Sequence, residues 1–447
     1  MTTLHLFNLK ALGGAVAALG FSLVGTLAAT LPAAAVDIQE VTSPGGITAL
    51  LVEDHTNPLI SMKFAFKGAG STQDPEGKAG LANLMSGLLD EGAGDIKSAA
   101  FQKRLDETGV SMGFDASLDN FTGSFRTITK FEDQGFDLLR LALTDPRFDE
   151  EPVNRIRGQI ETGIRADKND PNEVASRAFR ETVFAGHPYA RPVEGTVESL
   201  EKVTADDLHA FRKRAFARGN LIVGVVGDIT PKALGRRLDE VFGALPQTPD
   251  LRTIPPATPV MGKTVSVDLQ VPQTVIQFAL PGVPRKSDDF FAAYLMNHIL
   301  GGGSFTSRLF HEIREKRGLA YGASSWLATY DHAAVIGIST ATRSDKAAET
   351  VKLIRAEIER MAKDGPTAEE LRKAKDYVKG AYVVRNLDSS LAVADTLVGI
   401  QLDDLGKDYI DRRQKLIDEV TLDQVKAAAK KLLSVQPTVI TVGSAGA

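Results

Sequence analysis

The chain has 447 residues, of which 43% are hydrophobic and 24% are charged, as is ordinary for a globular protein. Its 52 Lys and Arg residues nearly balance its 57 Asp and Glu residues, and the net charge is -5. Both signs are scattered along the sequence, which argues against nucleic acid as a partner. The absence of cysteine excludes disulfides, thiolate metal sites and a lipoprotein anchor.

Residues 1–35 predict a secretory signal peptide. His5 and Lys10 precede an apolar stretch at residues 11–31, and Ala33 and Ala35 provide an A-x-A cleavage site. Together with the lack of cysteine, this pattern indicates a periplasmic protein. The apolar stretch is also close to the ~20 residues that span a bilayer, so an uncleaved membrane anchor is the alternative. No later segment is apolar enough to span a bilayer.

A proline cluster divides the rest of the chain into two parts of similar length. Proline lacks an amide donor and has a fixed φ, so a cluster of prolines favours an extended linker. We therefore predict a linker at residues 246–262, between an N-terminal lobe at 36–245 and a C-terminal lobe at 263–447. The prolines of the cluster are Pro246, Pro249, Pro255, Pro256 and Pro259.

The two lobes resemble each other in the order of their motifs. A helix pattern that follows Val203 leads to an apolar run ending at Gly227, and a helix pattern that follows Val420 leads to one ending at Gly443. The matching positions are 217 and 216 residues apart, so order and spacing both recur. This pattern predicts an internal duplication.

Predicted strands come early in each lobe and helices follow. Apolar alternation predicts a strand at 60–66, Asp119-Asn120 between two apolar runs predicts a hairpin, and Thr367 with Glu370 forms a capping box. These patterns indicate an α+β fold with two homologous lobes, each a mainly antiparallel sheet with helices packed on one side. The predicted strands are residues 60–66, 114–118, 121–125, 264–269 and 274–280, and the predicted helices are residues 153–167, 205–215 and 347–362.

Four segments carry a resemblance to a known family. They are residues 80–92 and 187–196 in the first lobe, and residues 300–304 and 308–321 in the second. Together they resemble the pitrilysin, insulinase and mitochondrial processing peptidase family, and they extend over essentially the whole chain after the signal peptide. The resemblance implies the metallohydrolase fold of the mitochondrial processing peptidase.

The zinc motif of that family is degenerate in this chain. Active members carry H-x-x-E-H on the first helix, where two imidazoles one turn apart bind the ion and the Glu polarises its water. At the matching positions this chain has Asn83, Ser86 and Gly87. Because an amide, a hydroxyl and a hydrogen do not replace two imidazoles and a carboxylate, the resemblance implies that this chain binds no catalytic zinc.

No replacement zinc site is evident in the sequence. No two of the seven histidines stand three to five residues apart, and His311 is followed by Arg314 and Glu315 three and four residues later. In active relatives a further Glu on a helix of the first lobe is the third ligand, and Glu161 lies near the matching place. We interpret Glu161 as a solvated helix carboxylate, since a single carboxylate is a poor zinc site; a metal ligand is the alternative.

The second lobe retains another functional pair of the family. Arg314 and Tyr321 have the seven-residue spacing of an Arg and a Tyr that, in relatives, reach into the active site from the domain opposite the zinc. By resemblance, Tyr321 would donate its hydroxyl to the oxyanion, and Arg314 would hold the substrate backbone or orient that hydroxyl. From the residues alone, Arg314 is typical of a surface salt bridge and Tyr321 of a core or interface residue.

A glycine run precedes this pair. Gly301, Gly302 and Gly303 are typical of a helix C-cap followed by a flexible turn. The functional alternative is a loop whose bare backbone approaches a peptide substrate.

These features predict a non-catalytic subunit of a heterodimeric zinc metalloendopeptidase that processes or degrades peptides or unfolded polypeptides. A homologous partner subunit with H-x-x-E-H would hold the zinc, and Arg314 and Tyr321 would act in trans on its site. Two alternatives stay open. One is a non-enzymatic scaffold or peptide-binding protein of the same fold, and the other is an active peptidase with unrecognised ligands.

Overall fold

The computed structural model describes residues 37–444. The predicted signal peptide at residues 1–35 lies outside the described residues. Within residues 37–444, no helix is long and apolar enough to cross a membrane.

The strands of the described chain belong to two large sheets and one short hairpin. They are β1 (Gln39–Thr42), β2 (Thr48–Glu53), β3 (Leu59–Phe66), β4 (Gly92–Ala93), β5 (Ile96–Lys97), β6 (Ser111–Ala116), β7 (Phe121–Ile128), β8 (Leu221–Gly227), β9 (Thr264–Asp268), β10 (Gln273–Pro281), β11 (Ala323–Thr329), β12 (Ala334–Arg343) and β13 (Thr438–Gly443).

Along the chain, most helices come between the strands of their lobe. They are α1 (Leu81–Ser86), α2 (Ser98–Thr108), α3 (Glu132–Thr144), α4 (Glu150–Asp167), α5 (Pro171–Val183), α6 (Val197–Leu200), α7 (Ala205–Ala215), α8 (Pro231–Phe242), α9 (Phe290–Asn297), α10 (Arg308–Phe310), α11 (Ala347–Asp364), α12 (Ala368–Asn386), α13 (Ser390–Leu402), α14 (Tyr409–Asp418) and α15 (Leu422–Leu433). π-Helical turns extend α9 through His298–Gly302 and α10 through His311–Glu315.

The two large sheets share one strand order. The first sheet runs β1-β2-β8-β3-β7-β6, and the second runs β9-β13-β10-β12-β11, so they match once the extra edge strand β1 is set aside. In each sheet one pair is parallel, β2 with β8 and β9 with β13, and the other pairs are antiparallel. The predicted α+β fold with two homologous, mainly antiparallel lobes is therefore confirmed.

The predicted elements occur at their expected places, with ends that differ by no more than three residues. The predicted hairpin closes between Ala116 and Phe121, which pair across β6 and β7. The predicted capping box is present, since Thr367 accepts the Glu370 N–H and Glu370 accepts the Thr367 N–H. The helix and strand that recur in the two lobes are α7 and β8 in the first lobe, and α15 and β13 in the second.

Each sheet buries one face against helices of its own lobe. In the first lobe, Phe64 and Phe66 of β3 are fully buried, and the Phe66 ring stacks on Phe216 with centroids 4.1 Å apart. In the second lobe, Ile276 and Phe278 of β10 are fully buried in a core shared with α9, α11 and α15. Burial of these apolar faces is the main stabilising contribution to each lobe.

The opposite face of each sheet is covered by a helix from the other lobe. Helix α5 of the first lobe packs on β10 and β13, while α13 of the second lobe packs on β8 and β3. Gly224 of β8 permits this approach, because a Cβ there would lie 2.6 Å from the carbonyl oxygen of Ala394 on α13. The two lobes therefore exchange one helix each.

The proline-rich segment forms neither helix nor strand between Phe242 and Thr264. Its backbone is nonetheless bound to both lobes: the Arg252 N–H donates to the Gln73 side chain over 2.9 Å, and the Ala257 N–H donates to the His332 carbonyl over 2.8 Å. The segment is therefore held in place rather than freely mobile.

A second connection between the lobes involves the segment 187–196 that resembles the family. The fully buried Tyr189 donates its hydroxyl to Asp119 over 2.5 Å and accepts the His332 N–H over 3.0 Å. Asp119 also accepts the Asp331 N–H over 3.1 Å. Burial raises the pKa of the Asp119 carboxyl and of the Tyr189 phenol. This segment joins the hairpin of the first lobe to the loop between β11 and β12.

Candidate functional site

The degenerate zinc motif lies on α1, a short helix with a buried acidic cap. Asp74 accepts the N–H groups of Gly80 and Ala82 over 2.8 and 3.0 Å. Burial raises the pKa of Asp74 to about 7 despite these hydrogen bonds. Gly80 has a φ of +92°, and a Cβ there would lie 2.5 Å from the Glu194 carbonyl oxygen. The start of the helix is therefore fixed by backbone packing.

The three positions that replace the zinc motif are used locally. The Ser86 hydroxyl donates to the Asn83 carbonyl over 2.7 Å, so it is occupied within its own helix. Gly87 ends α1 and faces α4, where a side chain at position 87 would meet Cγ2 of Ile156 at 3.0 Å. The room that the second imidazole needs is therefore restricted by Ile156.

Glu161, near the place of the family's third ligand, is also engaged. Glu161 lies on α4 and accepts a hydrogen bond from Arg165, one turn later, over 2.9 Å. Its side chain is only 14% exposed, so the interpretation of a fully solvated carboxylate is corrected to a mostly buried, ion-paired one. Among residues 37–444 there is no group of three or more His, Cys, Asp or Glu side chains placed to hold a metal ion. The residues present do not fit a catalytic zinc.

The second lobe places Arg314 on the outside of a tightly packed turn. Leu309, Phe310 and Ile313 form the buried face of α10 and its π-helical extension. Arg314 is exposed, and its guanidinium lies over the Phe310 ring, 4.9 Å from the centroid. Gly318 has a φ of +61° and donates its N–H to the Arg314 carbonyl over 2.9 Å. This left-handed glycine ends the turn, as expected.

Tyr321 lies just outside the second sheet, since β11 begins two residues later, at Ala323. Tyr321 lies in the loop before it, is 89% exposed, and its hydroxyl forms no hydrogen bond within the described chain. The loop itself is anchored: Thr340 donates to the Gly322 carbonyl and Thr342 to the Leu319 carbonyl, each over 2.7 Å. Two threonines of β12 therefore position a tyrosine that projects into solvent.

The glycine run packs closely against β11. A Cβ at Gly301 would lie 2.6 Å from the Ser325 backbone nitrogen, and one at Gly303 would lie 2.9 Å from the His298 carbonyl oxygen. Gly302 is more open, since a Cβ there would first meet the Asn297 side-chain nitrogen at 3.1 Å. Close packing therefore explains Gly301 and Gly303, and contact of this run with a substrate stays a prediction.

The large exposed hydrophobic side chains of the described chain all lie in the second lobe. Phe305 is 69% exposed and stands 5.8 Å from the Arg314 guanidinium. Sequence reasoning missed Phe305, although its place directly after the glycine run suggests a loop. The large exposed hydrophobic residues are Phe305, Tyr321, Trp326, Tyr377, Val383, Val384 and Val435. Two of these residues belong to the candidate site, Tyr321 itself and Phe305 beside Arg314.

Comparison with solved structures supports the fold. The structure is similar to a crystal structure described as the peptidase M16 inactive domain from Pseudomonas fluorescens, with 29% sequence identity and a TM-score of 0.85, covering 92% of this chain and 98% of that one. It also shares the fold of a protein described as a protease from Helicobacter pylori, with 22% identity and a TM-score of 0.81, covering 91% of this chain and 99% of that one.

Similar sequences carry names of two kinds. The non-peptidase homolog YmxG of Helicobacter pylori is 26% identical over 375 residues, or 80% of this chain and 82% of that protein. An uncharacterized zinc protease of Streptomyces coelicolor is 25% identical over 426 residues, or 91% of this chain and 89% of that protein. Likeness to these relatives therefore does not by itself distinguish a peptidase from a non-peptidase.

Family models match both lobes. Residues 50–197 match the model for insulinase, peptidase family M16, and residues 202–378 match the model for the peptidase M16 inactive domain. With the duplicated lobes and the altered motif at Asn83, Ser86 and Gly87, these matches agree with the resemblance seen in the sequence. The chain belongs to the insulinase family, peptidase family M16, as a member without the H-x-x-E-H zinc motif.

Proposed function

We propose that this chain is the non-catalytic subunit of a heterodimeric zinc metalloendopeptidase that processes or degrades peptides in the periplasm. The observation that carries the proposal is Tyr321, an exposed tyrosine with an unengaged hydroxyl on a loop that is anchored at Gly322 and Leu319. Within one chain such a residue has no evident structural use. It suits a group that completes a site on another molecule.

Arg314 supports the proposal because its acidic neighbours already pair with other residues. Glu312 binds Lys316 and Arg317 over 2.5 and 2.7 Å, and Glu315 binds His311 over 2.5 Å. Arg314 itself forms no ion pair within residues 37–444, where its only close partners are the rings of Phe305 and Phe310. Stacking on a ring orients a guanidinium and leaves its N–H groups free to bind a peptide carbonyl.

In the proposed complex, the residues of this chain bind substrate and stabilise charge. Tyr321 donates its hydroxyl to the oxyanion that forms at the scissile carbonyl, and Arg314 holds the substrate backbone beside it. Preorganised donors of this kind typically contribute about 3 kcal/mol each to lowering the barrier. The zinc and the H-x-x-E-H motif belong to a homologous partner subunit, so each subunit alone has little activity.

The second candidate function is a non-enzymatic scaffold or peptide-binding protein of the same fold. It is favoured by the likeness to the relative named a non-peptidase homolog, which shares 26% identity over most of both chains. The exposed apolar surface of the second lobe suits either function, because both require a macromolecular partner.

Mixing the purified chain with a homologous H-x-x-E-H subunit tests the two candidates. The proposal predicts zinc-dependent peptide cleavage that neither protein shows alone, and the scaffold alternative predicts a stable complex without cleavage. The proposed location is tested separately by determining the N-terminus of the protein from the periplasmic fraction. Cleavage after residue 35 supports export through a signal peptide, and an intact N-terminus in the membrane fraction supports the uncleaved anchor. An intact N-terminus on protein recovered only from the cytoplasm contradicts export.

A further inference from the structure

Each lobe has an equivalent first helix, and the two helices differ in what surrounds them. Helix α1 follows β3 and packs against α4, and α9 follows β10 and packs against α12. Asn83, Ser86 and Gly87 of the first lobe match Tyr294, Asn297 and His298 of the second, with a constant offset of 211 and with Leu-Met between the first two residues of both sets. The second lobe thus has a counterpart of the degenerate zinc site.

This counterpart is an open pocket, whereas at position 87 of the first lobe the matching space is restricted by Ile156. The pocket has a volume of about 400 Å³ and lies between the end of α9, strand β11 and helix α12. Aromatic side chains form much of its wall, including Tyr294, Trp326, Tyr377 and Tyr382. A cavity of this size accommodates a single amino-acid residue rather than a long peptide segment.

The charge that lines the pocket is entirely positive. Arg413 is 6% exposed and forms no ion pair within residues 37–444; it stacks on Tyr382 at 4.1 Å and donates to the Val378 carbonyl over 3.2 Å. Arg385 reaches the same pocket, donates to the Tyr377 hydroxyl over 3.3 Å and also lacks an ion pair there. Burying Arg413 without an anion is costly, so this arginine favours an anionic ligand, and the exposed Arg385 adds a second positive charge at the pocket.

Two further polar groups constrain the ligand. Asn297 is 5% exposed, and its Oδ1 has no hydrogen-bond partner within the described chain. A buried acceptor left unpaired favours a ligand with an N–H donor. His298 is largely buried, and burial together with the nearby charge of Arg385 lowers its pKa to about 4. The His298 ring is therefore neutral at pH 7 and adds no third positive charge to the pocket.

From this geometry we propose that the pocket bounded by Asn297, Arg385 and Arg413 binds the C-terminal residue of a peptide. The carboxylate pairs with the two guanidinium groups, the backbone N–H of the residue donates to Asn297, and an apolar side chain lies against the aromatic wall. A free N-acyl amino acid presents the same groups and is the second source of such a ligand. Every group involved belongs to this chain, so the proposal goes beyond the proposed peptidase complex and does not depend on it.

The position of the pocket connects it with the rest of the surface. Gly302 lines it, which brings the glycine run to the pocket edge, and Trp326 lies both in the pocket wall and 6.4 Å from Phe179 of α5. The pocket therefore opens beside the packing of one lobe on the other.

Isothermal titration of the isolated chain tests the site. Acetyl-Gly-Gly-Phe with a free carboxylate is compared with its C-terminal amide, and N-acetylphenylalanine serves as the free acyl amino acid. We expect one saturable site for the free acid and at least about ten-fold weaker binding of the amide, because charge-assisted hydrogen bonds are lost. If only the tripeptide acid binds, the ligand is the C-terminal end of a peptide. If N-acetylphenylalanine binds as well, free N-acyl amino acids are also ligands. Both results support the pocket.

Two variants that each remove one positive charge separate the role of the pocket from a general effect of charge. Arg385→Gln is expected to weaken binding of the acid about ten-fold or more and to leave binding of the amide unchanged. Arg372→Gln removes another exposed arginine of α12, one that pairs with Glu369 and Asp376 outside the pocket, and this variant is expected to bind like the wild-type protein. The proposal is overturned if the acid and the amide bind with equal affinity, or if the two variants change the affinity for the acid equally. It is also overturned if inorganic phosphate competes for the site as strongly as the free acid does.

Discussion

Cγ2 of Ile156 stands 3.0 Å from the place that a Cβ of residue 87 would occupy. Position 87 matches the second histidine of H-x-x-E-H, so the difference from active relatives involves the surroundings of the motif as well as its three substituted residues. The surrounding helix α4 packs close to α1, and Glu161 on the same helix is paired with Arg165. A side chain at position 87 would therefore require Ile156 to move by a few tenths of an ångström.

Restoring the zinc motif alone is expected to fail. In the triple variant Asn83→His, Ser86→Glu, Gly87→His, the new imidazole at position 87 meets Ile156, and we expect substoichiometric zinc by elemental analysis of the purified protein. Adding Ile156→Ala is expected to increase the zinc content, because the smaller side chain removes the closest contact. One equivalent of zinc in the triple variant without the change at Ile156 would contradict this account of the site.

The packing of α13 on the first sheet is expected to depend on Gly224. A Cβ at this position would approach the Ala394 carbonyl oxygen to 2.6 Å, and we expect Gly224→Ala to destabilise the protein by about 1–3 kcal/mol through overpacking. The matched control is Gly113→Ala in β6, where a Cβ meets only the Ser124 hydroxyl at an ordinary 3.5 Å. Urea unfolding curves measure both changes, and equal stability of the two variants would show that α13 does not pack as described.

Acid is expected to weaken the ion pair that joins α10 to α12. Burial opposes ionisation of Glu370, but hydrogen bonds from Arg308 and Thr367 outweigh it and lower its pKa to about 2 from the usual 4.5. Since the folded-state pKa is the lower one, this stabilisation is fully present above about pH 4.5 and is lost as the pH falls towards 2. The difference in Tm between the unchanged protein and Glu370→Gln should therefore shrink over this range.

Thermal unfolding followed by circular dichroism at a series of pH values measures this difference. Glu359→Gln removes an exposed carboxylate of α11 that forms no ion pair within the described chain and serves as the control. A Tm difference for Glu370→Gln that stays constant from neutral pH to pH 3 would show that the pair with Arg308 is not the source of the stabilisation.

Much of the fold was predictable because it depends on local patterns. Alternation along β3, the turn at Asp119-Asn120 and the capping box at Thr367 each identify an element from a few neighbouring residues. The exchange of α5 and α13 between lobes was not predictable, since it depends on Gly224 of β8 meeting residues about 170 positions away and no local pattern encodes such a partner.

The candidate site was predictable only in part, for the same reason. The loss of metal ligands is visible in the identities of Asn83, Ser86 and Gly87. The unpaired state of Arg314 is not visible in the sequence, because it depends on which cations bind Glu312. One of these cations is Arg360 of α11, 3.6 Å from the Glu312 carboxylate. The pocket beside Asn297 also escaped sequence reasoning, since Arg413 and Trp326 meet there from elements far apart in the chain.

The most direct test of the proposed function is turnover by the mixed subunits with Tyr321→Phe in this chain. The account predicts that kcat for peptide cleavage falls about 100-fold or more, while the complex still assembles on size-exclusion chromatography. Tyr330→Phe removes a hydroxyl from a tyrosine whose ring packs on Phe184 and Tyr189, and it should leave kcat unchanged. Full activity of the Tyr321→Phe complex would contradict the account.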